Sequence, residues 1–169
     1  ALAVIGIVVL YFIATYNFFV SAKARIKASI QEIGNQLKRQ ASLIPNLEES
    51  AQAYLKHEKD IFQKLTDARR SVDAAVKSGD LGKMGAVSDK IQSVLSGLKV
   101  ILESNPEIKG ADVITRLMDE LRDTADKLMY ARRTLIDLSA DYNVRLVNFP
   151  SSMVAKMFNF QPEKGLETP

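Results

Sequence analysis

An unbroken apolar stretch at the start of the chain constrains its fold more than any other feature. Residues 1–20 (ALAVIGIVVLYFIATYNFFV) carry no charge, and only Thr15 and Asn17 have clearly polar side chains. As a helix, twenty residues span roughly 30 Å, about the thickness of the hydrocarbon core of a bilayer. The stretch is also longer than the roughly 7–15 apolar residues of a cleaved signal peptide. We therefore predict a retained transmembrane helix over residues 1–20.

Positive charge follows this stretch directly. Residues 1–45 carry five basic side chains and one acidic one, a net of +4, whereas the remaining residues carry 18 basic and 19 acidic ones, a net of −1. A local excess of Lys and Arg beside a membrane span is typical of its cytoplasmic side and of contact with anionic lipid. We predict that Lys23, Arg25 and Lys27 lie at the membrane surface and that the rest of the chain is cytoplasmic. A nucleic-acid partner is not expected, because the basic segment lacks interleaved aromatic residues.

The composition excludes several kinds of site. The chain has no cysteine and one histidine, which rules out disulfides, thiolate nucleophiles and metal sites built from Cys or from several His residues. There is no glycine-rich phosphate loop. Asp119, Asp123 and Asp126 share one predicted helix face, but Arg122 and Lys127 flank them and indicate a solvated, ion-paired surface. We expect no catalytic residues, no cofactor and no metal.

Apolar periodicity predicts an all-α fold in which the membrane helix continues into an antiparallel four-helix bundle. Pro45 is expected to mark a hinge over residues 43–47, because proline disfavours helical geometry at the preceding residue. The second helix is predicted from about residue 46 to 77, the third from 80 to 104, and the fourth from 112 to just before Pro150. Ser78-Gly79-Asp80 and a segment ending at Gly110 supply the other turns. The predicted domains are 1–20 (transmembrane), 21–149 (bundle) and 150–169 (short helix and tail).

Glu58 is a charged residue on the predicted apolar seam of the second helix. An unpaired buried charge is costly, so a polar partner is expected. Counting residues from the predicted turns places Thr124 and Arg122 of the fourth helix at a similar height. We predict a buried polar layer of Glu58, Thr124 and Arg122 that fixes helix register. A ligand-binding role for His57 and Glu58 is a less favoured alternative.

The predicted fourth helix is much longer than the soluble part of the first. If both start from the same distal end, the fourth helix overshoots toward the membrane. The segment that follows combines aromatic and basic residues, as interfacial segments do. We therefore assign Phe149, Lys156 and Phe158 to the membrane surface. An equally weighted alternative is that these aromatic residues cap the core of the bundle.

Several short motifs together resemble the signature of the LemA family of bacterial membrane proteins. The main one is NQLKRQASLIPNL at residues 35–47, followed by Tyr54 and His57-Glu58. Further matches are Tyr16-Asn17, Glu103 with Pro106, Ala131-Arg132, Tyr142-Asn143 and Phe149-Pro150. The resemblance covers about residues 14–160. It implies a single N-terminal span in the bacterial inner membrane, a soluble helical bundle and no enzymatic activity.

These features favour a non-enzymatic, membrane-anchored scaffold that forms a homo-oligomer and organises or remodels membrane. Its expected partners are membrane lipid and further copies of itself. The alternative is an adaptor that presents the bundle to a membrane protease or another membrane protein partner, since the resemblance includes relatives encoded near a membrane metalloprotease. A lipid- or ligand-binding enzyme is a distant third reading.

Overall fold

The computed structural model describes residues 1–109 and 111–165, apart from the side chain of Lys109, and these residues are almost entirely helical, with no strand among them. Gly110, which the sequence analysis placed in a turn, and residues 166–169 of the predicted tail lie outside the described part. The helices are α1 (Leu2–Gln52), α2 (Lys59–Ser78), α3 (Leu81–Ser104), α4 (Pro106–Lys109), α5 (Asp112–Val147) and α6 (Ser151–Met157). The predicted all-α class is confirmed.

Helix α1 is continuous through Pro45, so the predicted hinge at residues 43–47 is wrong. An internal proline costs a helix about 3 kcal/mol because it removes one backbone hydrogen bond and crowds the preceding turn. Here the apolar face continues past the proline: Ile44, Leu47 and Ala51 follow one another at helical spacing and are fully buried. Burial of Leu47 and Ala51 on the same face offsets that cost, and the helix continues to Gln52.

The first turn lies at residues 53–58 instead, and helix α2 starts at Lys59 rather than near residue 46. The amides of Tyr54 and Leu55 donate to the Ala51 carbonyl, and the Glu58 amide donates to the Leu55 carbonyl. Leu55 is buried and fixes this turn to the core. With α1 extended and α2 shortened, the predicted length mismatch between the first and the last long helix becomes much smaller.

The other predicted helix ends are confirmed. Gly79 ends α2 in the left-handed conformation at φ 65°, which glycine adopts without steric cost. Asp80 caps α3, its carboxylate accepting from the Lys83 amide at 3.2 Å. Helix α3 spans the predicted range, and α5 ends before Pro150, as predicted.

Contacts divide the chain into two compact units. Unit 2 comprises residues 32–131 and holds the end of α1, all of α2, α3 and α4, and the first half of α5. Unit 1 comprises residues 1–31 and the described residues from 132 onward, so it holds the apolar start of α1, the end of α5 and α6.

Within unit 2 the long helices pack as a bundle. Helices α2 and α3 form an antiparallel hairpin around Gly79. Helix α1 approaches α2 closely at Gly34, where a Cβ atom would lie 3.5 Å from Val76. The core consists of the apolar face that the periodicity predicts, including Ile33, Leu37, Leu65, Ala68, Val72, Ile91, Leu98, Leu117, Leu121 and Leu128, all buried.

Candidate membrane-interface site

Unit 1 is built around an aromatic cluster on the apolar part of α1. Phe19 is completely buried, with ring centroids 5.4 Å from Tyr142 of α5 and 5.0 Å from Phe160 of the tail. Tyr16, one turn earlier, lies 4.7 Å from Phe158. Such aromatic pairs contribute about 0.5–1.5 kcal/mol each beyond their buried area. The cluster therefore holds the segment after α6 against residues 16–19.

Two neighbouring side chains of α5 hold the tail in place by hydrogen bonds. The Tyr142 hydroxyl donates to the Gln161 carbonyl at 2.9 Å. The Asn143 amide donates to the Glu163 carbonyl at 2.8 Å, and its oxygen accepts from the Glu163 amide at 2.9 Å. The Asn143 side chain thus pairs with both backbone groups of Glu163. These two hydrogen bonds fix the position of the Glu163 backbone, from which its side chain extends.

The chain reverses between α5 and α6 through a short turn in which the Phe149-Pro150 peptide bond is cis. The buried Ser151 hydroxyl lies 2.6 Å from the Arg145 carbonyl and 2.9 Å from the Asn148 carbonyl. The Arg145 carbonyl belongs to the last turn of α5, where carbonyls have no partner within the helix, and the Asn148 carbonyl just beyond α5 also accepts from the Ser152 amide at 2.8 Å. Val154 and Ala155 are buried and attach α6 to unit 1.

Several large apolar side chains around this turn are exposed. Phe149 is 80% exposed and Phe158 is half exposed. The other large apolar side chains there that are at least half exposed are Val144, Val147, Met153 and Met157. We call this set of six residues, 144 to 158, the apolar ledge. Lys156 is exposed among them, and the Arg145 guanidinium lies 3.8 Å above the ring of Phe18. The combination of apolar, aromatic and basic side chains is that of an interfacial segment.

The apolar start of α1 packs against other residues of unit 1 only from about Thr15 onward. Residues 1–11 are exposed all round, whereas Thr15, Phe19 and Ala22 are buried under unit 1. Among the described residues, α1 is the one helix long and apolar enough to cross a membrane. Length and composition alone support this assignment, so α1 is a candidate anchor. Lys23, Arg25 and Lys27 follow it and are exposed, which is compatible with the surface position predicted for them.

The predicted buried polar layer does not form in unit 2. Thr124 is completely buried, but its hydroxyl donates to the Leu121 carbonyl of its own helix at 2.6 Å. Arg122 is exposed and faces Asp119 at 4.0 Å. Glu58 is only half-buried, because it occupies the N-cap position of α2 and not a seam position within a helix. The displaced turn, which starts ten residues after the start of the predicted hinge, is the reason for the error.

The aspartates of α5 lie on a solvated face, as their charged neighbours predicted. Asp123 accepts from Arg39 of α1 at 3.1 Å and from Lys127 at 3.0 Å. The Lys127 ammonium first, and the Arg39 guanidinium with it, hold the pKa of the Asp123 carboxyl below its usual value. In the described part of the chain no three His, Asp or Glu side chains are grouped so that they could hold a metal ion.

A concave surface of unit 2 lies near the turn after α1. It has a volume of about 820 Å³. Its lining includes two glutamates of α1 (Glu48 and Glu49), a lysine of the turn (Lys56), a lysine at the start of α2 (Lys59) and Phe62. Nearby, the Thr66 hydroxyl donates to Glu48 at 3.0 Å. We call this surface the distal groove.

Sequence reasoning did not identify the pairing of Asn143 with Glu163 or the burial of Phe160. Both depend on the tail returning along α5, and the periodicity of a helix carries no information about that return. The one available signal was Tyr142-Asn143, two residues whose side chains can hydrogen-bond a nearby backbone, placed near the end of a long helix.

Comparison with known proteins supports one assignment. No curated protein matches the chain. The model of the LemA family matches residues 29–169, which is most of the chain. The resemblance seen in the short motifs is thereby confirmed, and the match extends through both units. The chain belongs to the LemA family.

Proposed function

We propose that this protein is a non-enzymatic, single-pass membrane scaffold that assembles into a homo-oligomer and organises or remodels the bilayer. The observation that carries the proposal is the apolar surface of unit 1. It combines the exposed start of α1 with the apolar ledge, and Tyr16 of α1 contacts Phe158 of the ledge directly.

This surface includes many large apolar side chains that are at least half exposed. Exposed apolar patches beyond a few hundred Å² mark sites of contact with lipid or protein. Lipid suits the start of α1, which is apolar on every side. The ledge suits the headgroup boundary, where aromatic rings and lysine stems are favoured. Within a bilayer the hydrophobic effect does not drive helices together, so close packing between the anchor helices would stabilise the oligomer.

The charge pattern supports a cytoplasmic orientation at an inner membrane. Lys23, Arg25 and Lys27 follow the apolar segment within a few residues, the region over which positive charge determines topology. Protease digestion of sealed inner-membrane vesicles tests this orientation. Cleavage of the bundle in inside-out vesicles, but not in right-side-out spheroplasts, is expected. The reverse pattern would contradict it.

The mass of the full chain in nanodiscs or mild detergent tests assembly. We expect a discrete multimer, and vesicles whose curvature or clustering changes with the amount of protein. The double variant Val144→Ser with Val147→Ser removes two exposed apolar side chains of the ledge and should weaken assembly or the vesicle effect. Val100→Ser, a similar change at an exposed position of unit 2, is the matched control. A discrete monomer with no effect on vesicles would refute the scaffold.

The distal groove favours a second candidate function, an adaptor. Acidic and basic side chains both line this groove together with Phe62, which suits a partner segment that carries both positive and negative side chains. A photo-crosslinking residue at Phe62 should then capture one membrane protein in intact cells, whereas the same residue at the exposed Arg70 should not. Capture of further copies of this chain at both positions would favour the scaffold instead.

A further inference from the structure

Unit 1 contains a cavity whose lining combines charges of both signs. Its volume is about 390 Å³, within the range of roughly 300–1,000 Å³ that small-ligand sites have. The apolar floor comes from one side of α1, and the charged groups are two lysines of α1 and one glutamate of the tail. The lining residues are Lys23, Ala24, Ile26, Lys27, Ile30 and Glu163.

The charged groups are arranged around the cavity without neutralising one another. Lys23 and Lys27 are one helical turn apart, so their side chains lie on the same face of α1. Among the described residues no ion pair within 4.0 Å joins either lysine to Glu163. Glu163 is half-buried, and both backbone hydrogen bonds to Asn143 fix its position. Glu163 and the two lysines thus line one cavity.

The position of the cavity along α1 indicates the source of its ligand. Lys23 and Lys27 come three and seven residues after Val20, which places them about 5 Å and 10 Å beyond the apolar segment. Contact between Tyr16 and Phe158 of the apolar ledge puts the start of the headgroup layer between Tyr16 and this boundary, and the layer is roughly 5–8 Å thick on each side. Lysine side chains can reach several ångströms back toward it. This step rests on the membrane anchor of the proposed function.

We propose that the cavity binds the headgroup of phosphatidylethanolamine, a phospholipid that carries both a phosphate and a primary ammonium. Lys23 and Lys27 bind the phosphate, and the Glu163 carboxylate accepts from the ammonium. A choline headgroup has no N–H to donate, and a glycerol headgroup has no cation for Glu163. The apolar floor at Ile26 and Ile30 contacts the carbon atoms of the headgroup and the start of the acyl chains.

The experiment uses the full chain in phosphatidylcholine nanodiscs that contain equal minor fractions of phosphatidylethanolamine and phosphatidylglycerol. Native mass spectrometry then counts the lipids that remain bound after ejection. We expect phosphatidylethanolamine to be retained over both other lipids. Lys27→Gln should lower that retention about tenfold, since a hydrogen bond to a charged group is lost. Arg25→Gln makes the same charge change at an exposed position outside the cavity and should have little effect.

The variant Glu163→Gln addresses selectivity. It should abolish the preference for phosphatidylethanolamine over phosphatidylglycerol, because it removes the anion while leaving both lysines. Equal retention of the three lipids by the natural chain, or an equal effect of Arg25→Gln and Lys27→Gln, would overturn the proposal. So would displacement of the lipid by soluble glycerophosphoethanolamine at equal concentration, which would make the free headgroup the ligand.

Failure of this inference can be told apart from failure of the proposed function. A chain that inserts into nanodiscs and assembles there, yet retains the three lipids equally, would refute only the headgroup site. A chain that does not insert at all would refute the anchor and the headgroup site together.

Discussion

Removal of the Asn143 side chain is the most direct test of how the tail is held in unit 1. Asn143→Ala deletes both hydrogen bonds to the Glu163 backbone, at 2.8 Å and 2.9 Å. A typical hydrogen bond contributes about 0.5–1.5 kcal/mol net, so the pair contributes roughly 1–3 kcal/mol to the closed position of the tail. Because 1.4 kcal/mol is about tenfold in an equilibrium constant, local opening should rise about 5- to 150-fold.

Amide hydrogen exchange of the full chain in detergent measures that opening directly. The Glu163 amide is itself a donor to Asn143, so its exchange rate should rise by the same factor. Helix α5 should not lose stability, because alanine is a better helix former than asparagine by up to about 0.7 kcal/mol. The expected pattern is therefore faster exchange around residues 161–163 with unchanged or slower exchange within α5.

Asp137→Ala is the matched control, since Asp137 is exposed on the same helix and lies six residues before Asn143. It should leave the exchange of the tail unchanged. If Asn143→Ala also left the Glu163 amide as protected as before, the hydrogen-bonded pairing would not be what holds the tail. If exchange rose throughout α5, the side chain would support the helix and not the tail.

Three further changes test the core, the buried tyrosine and the charged face. Leu47→Ala should lower the free energy of unfolding in urea by about 2–5 kcal/mol, because Leu47 is fully buried on α1. Tyr54→Ala, at an exposed position of the turn, should lower it much less. Equal losses would contradict the position of the turn at residues 53–58. Burial, with a smaller effect of the Glu163 carboxylate, raises the pKa of Tyr142 in the folded protein. The stability that Tyr142 contributes is therefore complete below about pH 10 and is lost as the pH rises through its pKa in the folded state. Tyr142→Phe should remove that loss, and an unchanged alkaline unfolding curve would refute this reasoning. The pKa of Asp123 is lowered, so the stability it contributes is present above the ordinary aspartate pKa of 3.8 and is lost as the pH falls below it. Asp123→Asn should therefore flatten the acid limb of a thermal-unfolding series, most visibly at low salt, and a limb as steep as before would contradict this.

Helical periodicity predicted the core well, because one buried face requires apolar residues at intervals of three and four. Leu65, Val72, Ile91 and Leu121 are buried as that spacing predicts. The turn at Gly79 and the cap at Asp80 were predicted as well, since each depends on the backbone chemistry of a single residue.

The position of the first turn could not be predicted from Pro45 alone. Proline gives a local cost, whereas continuation of the helix depends on whether the residues beyond it remain buried. Leu47 and Ala51 do, and the turn moves to residues 53–58. The height of Glu58 was counted from the wrong turn, so its predicted neighbours Thr124 and Arg122 were wrong too.

The amino-acid sequence by itself determined the all-helical class, the apolar segment with the basic residues behind it, and membership in the family. Each of these depends on composition or short-range spacing. Only the tertiary structure decided that Phe19 is buried beneath Tyr142 and Phe160, and that Glu163 faces Lys23 and Lys27 across a cavity. Those contacts join residues more than a hundred positions apart, and they exist because the chain reverses after α5 and two α5 side chains hold the returning backbone. Local propensity contains no information about that return.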